Sequence, residues 1–138
     1  MTAIWVILAI VIVALGYVRL APSDPARWHS PPNVTADKNL THGVKRLVAA
    51  GPAGLGQLDA IIRGTPRTSV LAGSVEEGMI TYVTRTKVFG FPDYTTVQAD
   101  GDQLKIYGRL RFGRSDLGVN RNRVDGWLGA LERVDGGS

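Results

Sequence analysis

An N-terminal run of apolar residues constrains the fold of this chain more than any other feature. Ala3 to Val18 spans 16 residues without a charge. A helix rises about 1.5 Å per residue, so this run covers about 24 Å, slightly less than the hydrocarbon thickness of a bilayer. Trp5 and Tyr17 lie near its two ends, where amphipathic rings favour the membrane interface. We therefore predict that residues 1–21 form a transmembrane anchor or an uncleaved signal.

Two alternatives concern the cleavage and the orientation of this segment. Ala14 and Gly16 place small residues at the spacing that signal peptidase prefers, but no basic residue precedes the apolar run. Arg19 and Arg27 follow the run, and by the positive-inside rule they favour a cytoplasmic domain. A short N-terminal apolar segment is, however, most often an export signal or a signal anchor. We expect a single-pass membrane protein with its soluble domain on the extracytoplasmic side.

The residues that follow divide into a linker, one domain and a short tail. Residues 22–40 have the composition of a semi-rigid linker, because they contain four prolines, Pro22, Pro25, Pro31 and Pro32. Trp28 is expected to pin this linker to the domain. The remaining chain has room for one small domain, which we assign to residues 41–134. Residues 135–138 are expected to form a frayed tail.

The pattern of apolar residues predicts an α+β domain. Thr41 is positioned to cap a helix with Val44, Leu47 and Val48 on one face, and a second short helix carries Leu55 to Ile62. Four strand-like runs come next: Thr68–Ser74, Met79–Phe89, Tyr94–Ala99 and Gln103–Phe112. We predict an N-terminal transmembrane helix followed by a small antiparallel four-stranded sheet, with helices packed on one face.

Positive charge is concentrated near the end of the chain. Six basic residues and one acidic residue, Asp116, lie between Lys105 and Arg123, while the whole chain carries a net charge of +4. In the last strand, Lys105, Tyr107, Arg109 and Arg111 alternate with apolar residues. This alternation predicts a basic stripe on an exposed face of the sheet.

A final helix is predicted directly after this strand. Ser115 or Asp116 is placed to cap it, and its core-facing stripe is Leu117, Val124, Leu128 and Leu131. The start of a helix presents unpaired N–H groups and the positive end of a dipole, which favour an anion. The candidate site for an anion or a partner therefore comprises seven residues: Arg109, Arg111, Arg114, Asp116, Asn120, Arg121 and Arg123. The alternative is that Asp116 only caps the helix while the arginines form internal pairs or face solvent.

Other classes of site receive little support from the sequence. The chain has no cysteine, which excludes disulfides, thiolate nucleophiles and cysteine-based metal sites. His29 and His42 lack further ligands at metal spacing, and Glu76 and Glu77 have the character of turn residues. The basic stripe contains a single aromatic residue, Tyr107, which is a poor stacking platform for single-stranded nucleic acid. We expect no metal, no cofactor and no nucleic-acid partner, and a non-catalytic role rather than an enzymatic one.

Three segments carry a family resemblance: Phe89-Gly-Phe-Pro-Asp93, Arg109-X-Arg111 and the stretch from Gly113 to Val124, in which Ser-Asp-Leu-Gly-Val-Asn is the most specific part. They resemble the DUF1499 family, a group of bacterial and plastid proteins of unknown function. The residues Tyr17 to His29 resemble the membrane-anchored alphaproteobacterial branch. The acidic pair usual in the family is reduced here to Asp93. The resemblance implies that Asp93 alone would orient the arginines, and it implies no activity.

The combined expectation is a single-pass protein of the bacterial inner membrane, with its domain on the periplasmic side of the cell envelope, that binds an anionic ligand, a lipid headgroup or a partner subunit. One alternative is an accessory subunit of a membrane protein complex, held by its anchor, in which Ala9, Ala14 and Gly16 allow close helix packing. A second alternative is an enzyme that acts on an anionic substrate, with Asp93 or Asp116 as the acid–base group.

Overall fold

The computed structural model describes residues 1–136 and contains four helices and six strands in that range. The helices are α1 (Thr2–Leu20), α2 (Pro25–Trp28), α3 (Gly54–Arg63) and α4 (Val119–Gly136). The strands are β1 (Lys38–Leu40), β2 (Gly43–Ala49), β3 (Thr68–Ser74), β4 (Met79–Arg85), β5 (Pro92–Asp100) and β6 (Gln103–Leu110). Because α4 continues to Gly136, the predicted tail overlaps its end, and residues 137–138 of that tail lie outside the described residues.

The strands form one antiparallel sheet in the order β1-β2-β6-β5-β4-β3. The α+β class and the antiparallel sheet are confirmed, but the prediction of four strands is wrong because the sheet has six. Of the two additional strands, β1 forms the end of the predicted linker and β2 replaces the helix predicted after Thr41. They extend the sheet beyond β6 and make the domain wider than the sequence pattern suggested.

The predicted helix at Thr41 is wrong, since Gly43–Ala49 forms β2 and pairs with β6 along its whole length. Val44 and Val48 fit a strand as well as a helix, but Arg46 lies between them on the same face and interrupts the apolar alternation. The largely buried Arg46 side chain is paired, because its Nε and Nη2 donate to the Asp125 carboxylate of α4 at 2.8 and 3.1 Å. Gly43 allows β2 to approach β6 closely, since a Cβ at this position would collide with the Gly108 carbonyl oxygen.

The main core lies between one face of the sheet and the helices α3 and α4. Leu58 and Ile62 of α3 and Val124 and Leu131 of α4 pack on it, as their helical spacing predicts. Trp127 also joins this core and donates from Nε1 to Thr65 Oγ1 at 2.8 Å. Both helices therefore cover the same face of the sheet.

The opposite face of the sheet is covered by the segment between α1 and β1. Trp28 and Val34 of this segment are buried, and the Trp28 ring stacks on Tyr94 of β5 with a centroid distance of 4.0 Å. The expected role of Trp28 in fixing the segment agrees with this contact. The predicted linker is therefore part of the domain: Trp28 and Val34 pack on the sheet, and residues 38–40 form its edge strand β1, which pairs with β2.

The turn before α4 differs in one respect from the sequence pattern. Asp116 caps the helix start, because its carboxylate accepts from Gly118 N at 2.9 Å and Asn120 N at 3.1 Å. Leu117 was expected in the core, but it is 90% exposed and has a φ of 54°. This left-handed residue turns the chain two positions before α4 begins, so the helical spacing does not apply to it.

Candidate functional site

Arg109 is buried on the face of the sheet that the N-terminal segment covers. Its Nη2 donates to the Trp28 carbonyl oxygen at 2.7 Å, and its Nη1 donates to Thr96 Oγ1 at 2.9 Å. Burial lowers the pKa of the Arg109 guanidinium to about 10, which leaves it protonated at neutral pH. The expectation of an exposed basic stripe is therefore wrong at this residue, because the segment containing Trp28 lies over it.

Arg111 holds the same segment closer to its beginning. Its Nη1 donates to the Pro22 carbonyl oxygen at 3.0 Å and to Tyr94 Oη at 3.1 Å, and Tyr94 also shares a 2.6 Å hydrogen bond with Ser23. Arg109 and Arg111 thus use their guanidinium groups on internal carbonyl and hydroxyl oxygens. In this arrangement they fix the N-terminal segment to the sheet.

Three other predicted site residues meet on the helix side of the sheet. Arg123 Nη1 donates to Asn120 Oδ1 at 3.0 Å and to Asp93 Oδ2 at 3.3 Å. Burial raises the pKa of the Asp93 carboxyl above its ordinary value, and the charge of Arg123 opposes that effect. Asn120 is fully buried, and its Nδ2 makes no hydrogen bond to any residue that the structure describes. The carboxylate expected to orient an arginine therefore does lie beside one.

The space next to this group is small. A cavity of about 120 Å³ is lined by residues that include Asp93, Ser115 and Asp116. Small-molecule sites usually occupy about 300–1,000 Å³, so this cavity has room for little more than a few waters. Both carboxylate oxygens of Asp116 already accept backbone N–H groups. The surroundings of Asp93 and Asp116 give little support to an enzyme with either as its acid–base group.

Arg114 and Arg121 complete the predicted set and lie at the surface. Neither side chain donates a hydrogen bond to any residue between 1 and 134. The structure thus divides the seven candidates among three places: the covered face of the sheet, the buried start of α4, and the solvent around it. The binding role assigned to them as one cluster stays a prediction.

A larger cavity, absent from the sequence prediction, opens at the end of α1. It measures about 460 Å³, and four cationic residues line it: Arg19, Arg67, Arg85 and Lys87. Thr68, Ser69 and Thr86 add hydroxyl groups to the lining, which contains no acidic residue. We call this the basic cavity. None of its four cations forms a salt bridge within the described part of the chain.

The two arginines at the centre of the basic cavity are held by the edge of the sheet. Arg85 N donates to the Arg67 carbonyl oxygen at 2.9 Å, and Arg67 Nε donates to the Arg85 carbonyl oxygen at 3.1 Å. Arg67 has a φ of 56°, a conformation that costs a non-glycine residue of order 1 kcal/mol or more. Arg85 Nη1 also donates to the Gly90 carbonyl oxygen at 2.9 Å. Two guanidinium groups are therefore fixed near one another without a carboxylate.

The basic cavity lies where α1 meets the domain. The Arg19 side chain packs against Gly90 in the β4–β5 loop, where an added Cβ would lie 2.9 Å from Arg19 Nε. The Tyr17 ring meets the Phe112 ring edge to face at a centroid distance of 6.3 Å. The β4–β5 loop also exposes Val88 and Phe89, which are 72% and 50% accessible. Cationic and apolar side chains thus occur together beside the end of the apolar helix.

Comparison with known protein families identifies the domain. The family described as "Protein of unknown function (DUF1499)" matches residues 22–131. The chain belongs to the DUF1499 family. No curated protein and no solved structure matches the chain. The match starts at Pro22, so the DUF1499 region includes the segment that Arg109 and Arg111 hold, and it includes every cation of the basic cavity except Arg19.

Sequence reasoning missed the basic cavity because its residues are far apart in the chain. One signal was available: the hairpin of β3 and β4 pairs Thr68 with Thr84, which places Arg67 opposite Arg85. The convergence of Arg19 on the same place depends on the packing of α1 against the β4–β5 loop, for which the sequence has no local pattern.

Proposed function

We propose that this protein is a membrane-anchored, non-catalytic domain of the bacterial cell envelope that binds an anionic group at the membrane surface. The observation that carries the proposal is the basic cavity, where four cationic residues surround about 460 Å³ without an acidic residue. An uncompensated group of cations favours a bound anion, since like charges repel one another and an anion removes that repulsion.

The membrane assignment is supported by α1. This helix is long and apolar enough to cross a bilayer, with a mean hydropathy of 2.5 and no residue buried against the domain, although a signal sequence has the same properties. The contacts of Arg19 and Tyr17 with the domain favour a retained anchor, because they join the end of α1 to two of its loops. We propose a single-pass inner-membrane protein with its domain in the periplasm.

The absence of cysteine makes the orientation directly testable. A single cysteine introduced as Asp102→Cys, in the exposed β5–β6 turn, should react with a membrane-impermeant maleimide in intact spheroplasts. The wild-type chain is the unreactive control, and lysed cells give the maximum signal. Labelling only after lysis would place the domain in the cytoplasm and overturn the periplasmic assignment.

Anion binding is tested on the full-length protein in lipid-free detergent. Pyrophosphate at constant ionic strength should raise the unfolding temperature of the wild type, because a ligand that binds the folded state stabilises it. The Arg67→Gln/Arg85→Gln variant should lose this shift. An unfolding temperature that pyrophosphate leaves unchanged would contradict anion binding, and a shift lost only in Arg114→Gln/Arg121→Gln would move the site to the start of α4.

An accessory subunit held by its anchor is the second candidate, and one feature favours it. Ala9, Ile10, Val13, Ala14 and Tyr17 line an apolar groove along the exposed surface of α1. Small residues on a membrane helix allow a neighbouring helix to approach closely. Purification of a partner with the full-length protein, and its loss when Ala9 and Ala14 are replaced by leucine, would support this candidate over the anion-binding one.

A further inference from the structure

We infer that the basic cavity is a headgroup site for an anionic phospholipid, whose phosphate lies among Arg67, Arg85 and Arg19 while its acyl chains stay in the bilayer. This inference rests on the proposed function, because it requires the domain to lie at a membrane surface. It adds the chemical class of the ligand to that function.

The type of cation favours a phosphate. Three of the four cations are arginines, and a guanidinium presents a planar set of N–H donors that matches two oxygens of one phosphate. Ser69 and Thr86 add hydroxyl groups that suit the remaining phosphate or glycerol oxygens. The volume of about 460 Å³ exceeds the size of a bare phosphate ion and falls within the range of small-molecule sites.

The site is arranged before any ligand binds. Arg85 is held by the Gly90 carbonyl oxygen, and Arg67 is held by the Arg85 carbonyl oxygen. The β4–β5 loop is closed on itself, since Thr86 N donates to the Phe91 carbonyl oxygen at 3.0 Å and Phe91 N donates to Thr86 Oγ1 at 2.9 Å. Donors that are already fixed lose little conformational entropy when they bind a phosphate.

The position of the cavity favours a lipid over a soluble anion. Arg19 is the next-to-last residue of the apolar helix and lines the cavity, so the cavity opens near the depth of the headgroups if α1 spans the bilayer. Val88 and Phe89 project from the same β4–β5 loop, where apolar side chains are suited to insertion among lipids. A phospholipid reaches this place without leaving the bilayer.

The charge of the cavity predicts which headgroups it accepts. A zwitterionic headgroup such as phosphatidylethanolamine carries an ammonium group, and no acidic residue in the lining receives it. Phosphatidylglycerol places a neutral glycerol in that position and keeps its negative charge. Selectivity for anionic over zwitterionic phospholipid is therefore the property that separates this site from general adsorption to a membrane.

The test measures which lipids stay bound to the full-length protein. The protein is incorporated into nanodiscs of equimolar phosphatidylglycerol and phosphatidylethanolamine, released, and analysed by native mass spectrometry. We expect about one retained phosphatidylglycerol per chain. The Arg67→Gln/Arg85→Gln variant should lower the ratio of retained phosphatidylglycerol to phosphatidylethanolamine about tenfold or more. Arg67→Lys/Arg85→Lys, which keeps the charge but loses the planar donors, should show an intermediate ratio.

A matched control removes the same charge from other places. Lys38 lies on β1, at the opposite edge of the sheet from β3, and Arg133 lies on the exposed surface of α4. The Lys38→Gln/Arg133→Gln variant should keep the wild-type lipid ratio. If Arg67→Gln/Arg85→Gln does not fold, Arg19→Gln/Lys87→Gln replaces it, because neither of those side chains donates a hydrogen bond to a residue that the structure describes.

The remaining outcomes separate this inference from the proposed function. Equal retention of both lipids by the wild type, together with a pyrophosphate shift that depends on Arg67 and Arg85, would overturn the lipid as ligand and leave anion binding intact. Loss of selectivity in the Lys38→Gln/Arg133→Gln control would also overturn the inference, because total charge would then be the cause. Absence of both the lipid selectivity and the pyrophosphate shift would refute the site and the proposed function together.

Discussion

The arginines between Arg109 and Arg123 and the cations of the basic cavity are opposite cases. The first group is dense in the sequence, but the fold disperses it: Arg109 and Arg111 bind internal oxygens on one face of the sheet, Arg123 binds them on the other, and Arg114 and Arg121 point into solvent. The second group is scattered from Arg19 to Lys87, and the fold brings it around one open cavity without an acid. Charge density along a chain therefore says little about charge that is free to bind a ligand.

The difference has a simple structural origin. Arg109 and Arg111 are two residues apart and point to the face that the N-terminal segment covers, whereas α4, which carries Arg123, packs on the opposite face, so the sheet divides the basic cluster. Residues at the open end of a hairpin and in the loop that follows it lie at the same end of the sheet, however far apart they are in the sequence. The edge of the sheet near Arg67 and Arg85 thus collects charge that the sequence does not show as a cluster.

The largest expected effect comes from removing the guanidinium of Arg109. Arg109→Met removes the charged donor to the Trp28 carbonyl oxygen and to Thr96 Oγ1 in a buried place and leaves the carbonyl only the 3.3 Å hydrogen bond from Thr96 Oγ1, so we expect it to lower the free energy of unfolding by about 3 kcal/mol. Arg67→Met removes an exposed guanidinium and should cost less than about 1 kcal/mol. Urea unfolding of both variants in the same detergent measures the contrast. Equal losses would mean that Arg109 has no special structural role.

The sequence predicted the parts of the fold whose patterns are local. The helix α3 and the strands β3 to β6 have clear periodicity and turn signals, and they occur close to where they were expected. The strand β2 was predicted as a helix, because Val44, Leu47 and Val48 also match a helical spacing. Its pairing with β6 decides the outcome, and pairing between distant segments has no local signature.

For the seven-residue candidate site, the sequence predicted some of the internal contacts but not the places of the residues in the fold. The cap by Asp116 follows from its position before an apolar helical stripe, and the closeness of Asp93 to Arg123 agrees with the expectation that Asp93 orients an arginine. The burial of Arg109 depends on Trp28, which lies 81 residues earlier in the chain. The packing of this N-terminal segment on the sheet is a tertiary event, so no count of charges anticipated it.

A medium effect is expected from the pH dependence at Asp93, which tests whether Arg123 is used internally. Burial raises the pKa of the Asp93 carboxyl above its ordinary value of 3.8, while Arg123 opposes that rise. A carboxyl with a raised pKa in the folded state stabilises the fold at low pH and loses this contribution as the pH rises through the folded pKa. Relative to Asp93→Asn, the wild type should therefore lose unfolding free energy as the pH rises from below 3.8 to neutrality.

The comparison of the wild type with Asp93→Asn by urea unfolding across that range decides the sign. A wild type that gains stability relative to Asp93→Asn as the pH rises would show that the attraction to Arg123 exceeds the cost of burying the carboxylate. In that case Asp93 and Arg123 would form a net stabilising ion pair, and Arg123 would be still less available to an external anion.

The smallest expected effect comes from Arg114 and Arg121, and it decides between the two groups of cations. Both side chains are exposed and donate no hydrogen bond to a described residue, so Arg114→Gln/Arg121→Gln should change the free energy of unfolding by less than about 0.5 kcal/mol. The pyrophosphate shift and the lipid ratio should also stay at their wild-type values, since the basic cavity is intact. If this variant instead loses anion binding while Arg67→Gln/Arg85→Gln keeps it, the start of α4 is the binding site. Density of charge in the sequence would then have been the better guide.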